Sequence, residues 1–264
     1  MPTPSPNRPL VLCLSGLDPS GGAGLQADIE TIAALGGHAL GVLTCLTVQD
    51  TRNVAAVVPT APELLRRQLD ALLADSPPQA IKLGLLGAVE QLPVILEAIA
   101  RCRVPVVCDP VLRAGGGALL HGEAAAAALR ERLFAAVTVL TPNAAEARRL
   151  SPGAADLDAC GAALLAAGAE RVLITGGDEP GAQVTNSAYA PGQAPRRWHW
   201  PRLPETFHGA GCTLASAIAA LLARGLDPDD ALERAQEWTQ GSLRRALAVG
   251  QGRRIPGRIL GEGA

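Results

Sequence analysis

Apolar residues along this chain fall into short unbroken runs, separated by stretches where they recur every three or four positions. The unbroken runs are LVLCLSG (10–16), ALGVLTCLTVQ (39–49), AIKLGLL (80–86), VPVVCDP (104–110), VTVLTPN (137–143) and RVLITGG (171–177). Each is short and bounded by glycine, proline or polar residues, so each predicts a strand buried on both faces. The stretches between them predict helices at GAGLQADIETIAALG (22–36), APELLRRQLDALLAD (61–75), VEQLPVILEAIARC (89–102) and EAAAAALRERLFAA (123–136). Two further helices, 210–224 and 228–247, close the chain. Residues 184–204, VTNSAYAPGQAPRRWHWPRLP, break the pattern with two β-like runs around a Pro-Gly turn and predict an antiparallel edge hairpin. Strand–helix alternation on this scale predicts an α/β fold, with helices on both faces of a mainly parallel sheet. No repeat and no linker divides the chain, so residues 1–264 are expected to form one domain, with 1–9 as a disordered tail.

Composition narrows the classes. The chain has 264 residues, 48% hydrophobic and 18% charged, with a net charge of −2. That balance fits a soluble globular protein and gives no basic footprint for nucleic acid. The Pro-rich start carries no signal-peptide pattern, no run is long enough to span a bilayer, and the expected location is cytoplasmic. The six cysteines (13, 45, 102, 108, 160 and 212) form no C-x-x-C pair, and the four histidines are scattered. Free thiols in a reducing compartment are expected, not a metal cluster. Of the 23 basic residues only Lys82 is a lysine, and it sits in a strand run. This disfavours a Walker P-loop and a Schiff-base enzyme.

In doubly wound sheets ligands bind outside the carboxyl ends of the strands. Those ends gather Gly16, Asp18, Gln49, Gly84, Gly87, Asp109, Asn143, Thr175, Gly176 and Gly177, which are small, polar or acidic. HGAGCT (208–213) leads into an apolar helix. Gly209 and Gly211 permit close backbone approach, and the free N–H groups and dipole of a helix start favour an anion. The bland alternative is a glycine turn before a buried helix. Cys212 falls in that first turn, where the dipole lowers a thiol pKa and a bound polyphosphate opposes the effect; an inert buried cysteine is the alternative. In LSGLDPSGGAGLQAD (14–28), Ser20 to Gly22 open the first helix and Asp28 falls on its apolar face. A buried carboxylate needs a partner, and a ligand amine is expected there in preference to a structural donor. In TPNAAE (141–146), Asn143 and Glu146 form a capping box; alternatively Glu146, with Asp109, holds hydrated magnesium beside phosphates. RAGGGALLHG (113–122) predicts a glycine-rich flap that closes over the ligand.

The ordered set DPSGGAG-QAD, VQDT, IKLGLLG, CDPV, TPNAAEA and HGAGCT resembles the hydroxymethylpyrimidine/phosphomethylpyrimidine kinases of thiamine biosynthesis, from about residue 10 to 225. The resemblance implies a ribokinase-like three-layer α/β/α sandwich. It also implies ATP-dependent phosphorylation of 4-amino-5-hydroxymethyl-2-methylpyrimidine, and then of its monophosphate, with Mg²⁺ and in a homodimer. By the same resemblance Gly16, Ala23, Asp28, Gln49, Leu85 and Val111 contact the pyrimidine. Gly209, Ala210 and Gly211 receive the transferred phosphoryl, and Cys212 stands where sugar kinases of this fold carry an aspartate base. Asn143, Thr175 and Gly177 serve ATP; Asp109 and Glu146 serve the metal. Three departures stand out: TGGD (175–178) and the GGG flap lack the lysines many members carry there, and Leu85 replaces a common methionine. Arg113 is the candidate substitute for the lost cations. The alternatives are a pyridoxal-type kinase of the same fold and a catalytically weak pyrimidine-binding protein.

Overall fold

The computed structural model describes residues 8–112 and 122–259. A single nine-stranded sheet runs through it, in the order β3-β2-β1-β4-β5-β6-β7-β8-β9. The strands are β1 (Leu10–Leu17), β2 (His38–Gln49), β3 (Val54–Pro59), β4 (Ala80–Leu83), β5 (Val106–Cys108), β6 (Val139–Leu140), β7 (Arg171–Ile174), β8 (Gln183–Tyr189) and β9 (Arg196–Pro201). From β2 through β7 every neighbouring pair is parallel. The edge elements β3, β8 and β9 pair antiparallel with their neighbours.

The alternation of side chains along each strand builds two cores. On β1, Leu12 and Leu14 face one way, beneath α2 (Pro62–Asp75), α3 (Leu92–Cys102), α4 (Glu123–Arg132), α5 (Ala144–Leu150) and α6 (Leu157–Ala166). Val11 and Cys13 face the other way, beneath α1 (Gly24–Ala34), α7 (Ala210–Ala223) and α8 (Pro228–Arg244). Both faces are therefore covered, which is why the central strands read as continuous apolar runs. The α/β/α sandwich and the 184–204 edge hairpin match the sequence expectation. Helix α7 is buried along nearly its whole length, from Thr213 to Leu222. No described helix is long and apolar enough to cross a membrane.

Two differences from the sequence reading are physical. Strand β3 is an additional edge strand that no expectation covered; its residues are mostly exposed, so VAAVVP carries no burial period to read. The helix expected over 123–136 ends at Arg132, and a 3₁₀ turn follows at Phe134–Ala136.

Candidate active site

The parallel strands all deliver their carboxyl ends to one edge, and the N-terminus of α7 comes to the same edge. The cleft between them is lined by Gly16, Asp18, Ala23 and Gly24 from β1 and its loop, and by Thr47 and Gln49 from β2. Val54, Leu85, Asp109, Val111, Asn143 and Glu146 continue the wall. Phe207 to Cys212 and Arg253 complete it. Of the residues singled out from sequence, Gly16, Asp18, Ala23, Gln49, Leu85, Asp109, Val111, Asn143, Glu146 and Gly209 to Cys212 line this cleft; Asp28, Gly84, Gly87, Thr175, Gly176 and Gly177 do not.

The start of α7 is shaped by Gly209, whose φ of 86° is left-handed. A Cβ there would run into the Gly22 carbonyl, so only glycine lets the two loops approach this closely. Gly211 lies against the Asp109 carboxylate. Arg258 ties these pieces together from a fully buried position. It donates to Gly21 O (3.2 Å), to Gly22 O, to Thr213 Oγ1 (2.9 Å) and to Glu30 (3.1 Å).

The Asp18 carboxylate organises the first loop. It accepts from Ser20 N and Ala23 N, each at 2.8 Å, and lies 2.7 Å from His208 Nε2. Burial pushes this carboxyl up, but the His208 and Ser20 hydrogen bonds outweigh it and hold it below the usual carboxylate range. Asp18 and His208, 190 residues apart in sequence, are thereby joined by a side-chain pair that neither local motif announces.

Cys212 is a thiol. Burial pushes it up to about 12, with Asp109 and Asp28 adding to the rise and Lys82 opposing it. Desolvation is the largest cause and exceeds the lowering by the Lys82 charge. The thiol and the Asp109 carboxylate act on each other's ionisation, the thiol lowering Asp109 and the carboxylate raising the thiol. Asp109 itself is raised by burial, with Lys82 working in the opposite direction. Glu146 is raised by burial and by the nearby Asp109.

The capping box at α5 is present in full: Asn143 Oδ1 accepts from Glu146 N (2.8 Å), and Glu146 Oε2 accepts from Asn143 N (3.1 Å). Glu146 Oε1 also accepts from Leu112 N (3.1 Å). The same two residues face the cleft, so the capping and site readings coexist.

The expected ligand partner of Asp28 needs correction. Its side chain is fully buried, behind the cleft wall. It accepts from Ser15 Oγ (2.5 Å) and Ser216 Oγ (2.6 Å), and pairs with Lys82 Nζ at 2.8 Å. Ser15 Oγ also receives Lys82 Nζ at 3.1 Å. The chain itself supplies the partners, and the protein's one lysine is spent in this core network. Thr175 is held by backbone bonds to the α5 start, its carbonyl accepting from Ala144 N at 3.0 Å. Gly177 is exposed, and its carbonyl accepts from Arg202 Nη1 at 2.8 Å. Asp178 occupies the α5 N-terminus instead, accepting from Ala144 N and Ala145 N. Arg113 and most of the 113–122 flap lie outside the described residues.

Sequence reasoning missed Thr47, Phe207, His208 and Arg253 as parts of the wall. His208 lies inside the quoted motif and Asp18 stood among the strand ends, so both had a signal. Arg253, far along the chain after α8, had none.

A glycine-formed helix start with the buried carboxylates of Asp109 and Glu146, in a cleft at the strand ends of this sandwich, defines a phosphoryl-transfer enzyme of the ribokinase-like class. Comparison with known proteins narrows it. The phosphomethylpyrimidine kinase family model matches residues 18–256. A hydroxymethylpyrimidine/phosphomethylpyrimidine kinase of Synechococcus elongatus is 40% identical over 92% of this chain and 95% of its own. One of Streptomyces coelicolor is 37% identical over 95% of this chain and 94% of its own. Among solved structures, an ADP complex of Bacillus subtilis pyridoxal kinase is 29% identical with a TM-score of 0.86, covering 94% of this chain and 97% of that one. The chain belongs to the phosphomethylpyrimidine kinase family, and it is a phosphotransferase.

Proposed function

We propose that this protein phosphorylates 4-amino-5-hydroxymethyl-2-methylpyrimidine with ATP, and then phosphorylates the resulting monophosphate to the diphosphate, in thiamine biosynthesis in the cytoplasm. The observation that carries the reading is the cleft. It joins an apolar slot (Gly16, Ala23, Leu85, Val111) with the Gln49 amide, a glycine-built helix start and the carboxylates of Asp109 and Glu146. The slot suits a flat heteroaromatic ring, and Gln49 suits its amino-pyrimidine edge. The N–H groups of Gly209 to Cys212 suit the transferred phosphoryl.

Asp109 and Glu146 fit a hard divalent cation, because both are oxygen donors raised by burial and both line the cleft. No group of three or more ligating side chains occurs among the described residues, so the ion would be held by one or two carboxylates plus phosphates and water, as Mg²⁺ usually is. Mg²⁺ would neutralise charge on the triphosphate.

The chain's own residues orient the acceptor. The Cys212 thiol enters the first step protonated, beside Asp109 on the cleft wall, so the hydroxymethyl proton is accommodated by this pair and not by a standing thiolate. In the second step the acceptor is an ionised phosphate, and no base is required. Asn143, which lines the cleft, is the residue of this reading that meets ATP, with Thr175 and Gly177 beside it as the family resemblance implies. A homodimer is supported by the apolar face at the β3 edge, where Leu46, Val48 and Val58 are exposed.

The test is one incubation with ATP, Mg²⁺ and the pyrimidine alcohol, resolving mono- from diphosphate, beside a parallel incubation with pyridoxal. Conversion to the diphosphate is expected, with pyridoxal the poorer acceptor. Preference for pyridoxal would establish the pyridoxal-type alternative, and pyrimidine binding without turnover would establish a mere binding protein.

A further inference from the structure

The cleft is built to meet anions, yet its wall holds little positive charge. Among the described residues that line it, Arg253 is the only lysine or arginine. Its backbone is fixed from two sides: Arg253 N donates to Thr51 O at 3.0 Å, and the next residue pairs with 206–208, with Arg254 N donating to Thr206 O and His208 N to Arg254 O, each at 2.9 Å. The guanidinium is half-buried, and its own partners are poor. Nη1 reaches Phe207 O and Nη2 reaches Arg52 O, both at a long 3.4 Å. Nε is buried with no hydrogen-bond partner among the described residues. Asp18 is the charged group that acts on it, and that carboxylate is already engaged by His208, Ser20 and Ala23.

A planar cation on a pocket wall, carried by a fixed backbone and with donors left unused or weakly used, is poised for a bidentate oxyanion. We propose that Arg253 binds the phosphate already carried by the monophosphate substrate, and so sets the enzyme's preference for the second acceptor over the first. This rests on the two-step reading above. The pyrimidine alcohol has no charge for Arg253 to meet, whereas its monophosphate carries nearly two negative charges at neutral pH. The residue reaches the cleft from the segment after α8, beyond the motifs that carry the family resemblance.

The experiment compares the wild type with Arg253→Gln and Arg253→Lys, measuring KM separately for the alcohol, the monophosphate and ATP, and measuring monophosphate binding by calorimetry without ATP. For Arg253→Gln the ratio of KM(monophosphate) to KM(alcohol) is expected to rise roughly tenfold or more, the scale of a lost charged hydrogen bond. Calorimetric affinity for the monophosphate should fall in parallel, and Arg253→Lys should recover part of both. An unchanged ratio overturns the proposal, as does a rise confined to ATP or an equal rise in all three constants. Wild-type protein that neither binds nor converts the pyrimidines would instead overturn the functional reading, and Arg253's role with it.

Discussion

Replacing Lys82 by methionine isolates the network behind the site. Lys82 and Asp28 are both fully buried and 2.8 Å apart, and methionine keeps the volume while removing the charge. Asp28 would then keep only the Ser15 and Ser216 hydroxyls as donors. Breaking a buried pair on one side costs about 3–5 kcal/mol, because the remaining charge is stranded. Against a total stability of about 5–15 kcal/mol this is a large fraction. For a chain of this size it corresponds to a melting-point drop of roughly 6–20 °C. Burial lowers the Lys82 pKa, but Asp28, Cys212 and Asp109 together more than offset this and raise it. A raised lysine pKa contributes stability that is fully present below its unfolded value and is lost only as pH rises beyond it. The deficit of Lys82→Met should therefore be flat between about pH 7 and 9. Urea unfolding of Lys82→Met, Asp28→Asn and the double variant closes the cycle, and the double variant should recover about 2 kcal/mol or more relative to the sum of the singles. A single variant costing under about 1 kcal/mol, or a double variant that is simply additive, would refute the view that the pair is a mutually neutralising unit.

Three other outcomes follow from the same geometry. Cys212→Ala should slow the first phosphorylation by about 100-fold, the lower range for a lost proton-transfer group, and the second by under about tenfold; equal losses would refute the step-specific role. Because burial holds the Cys212 thiol near 12, its peptide-resolved alkylation rate should climb about tenfold per pH unit from pH 7 to 10, and a plateau below pH 9 would show a standing thiolate. Arg258→Met strands the carbonyls of Gly21 and Gly22 and should cost about 2 kcal/mol or more in urea unfolding while lowering turnover; undiminished stability would show that the C-terminal segment does not brace the site.

The strand-end rule placed part of the cleft from sequence, because parallel strands necessarily present their carboxyl ends on one side; Gly84, Gly87, Thr175, Gly176 and Gly177 stand at the same ends without lining it. Gly16, Gln49, Asp109 and Asn143 were legible for that reason. Asp28 was misjudged for an equally clear reason. Its position on the apolar face of α1 told that it needed a partner, but not which one. Lys82 lies 54 residues away and Ser216 a further 134, and only sheet closure brings them to it.

The periodicity of the chain therefore determined the α/β class, both cores, the glycine-shaped start of α7 and the capping box of α5, since each depends on residues close together in sequence. Tertiary structure alone decided three things. It joined His208 to Asp18, placed Arg253 on the wall from beyond α8, and buried the single lysine against Asp28. The ionisation of Cys212 belongs with these. A helix start by itself argues for a thiolate, yet the surrounding sheet and helices remove water from the sulfur, and that desolvation raises the thiol.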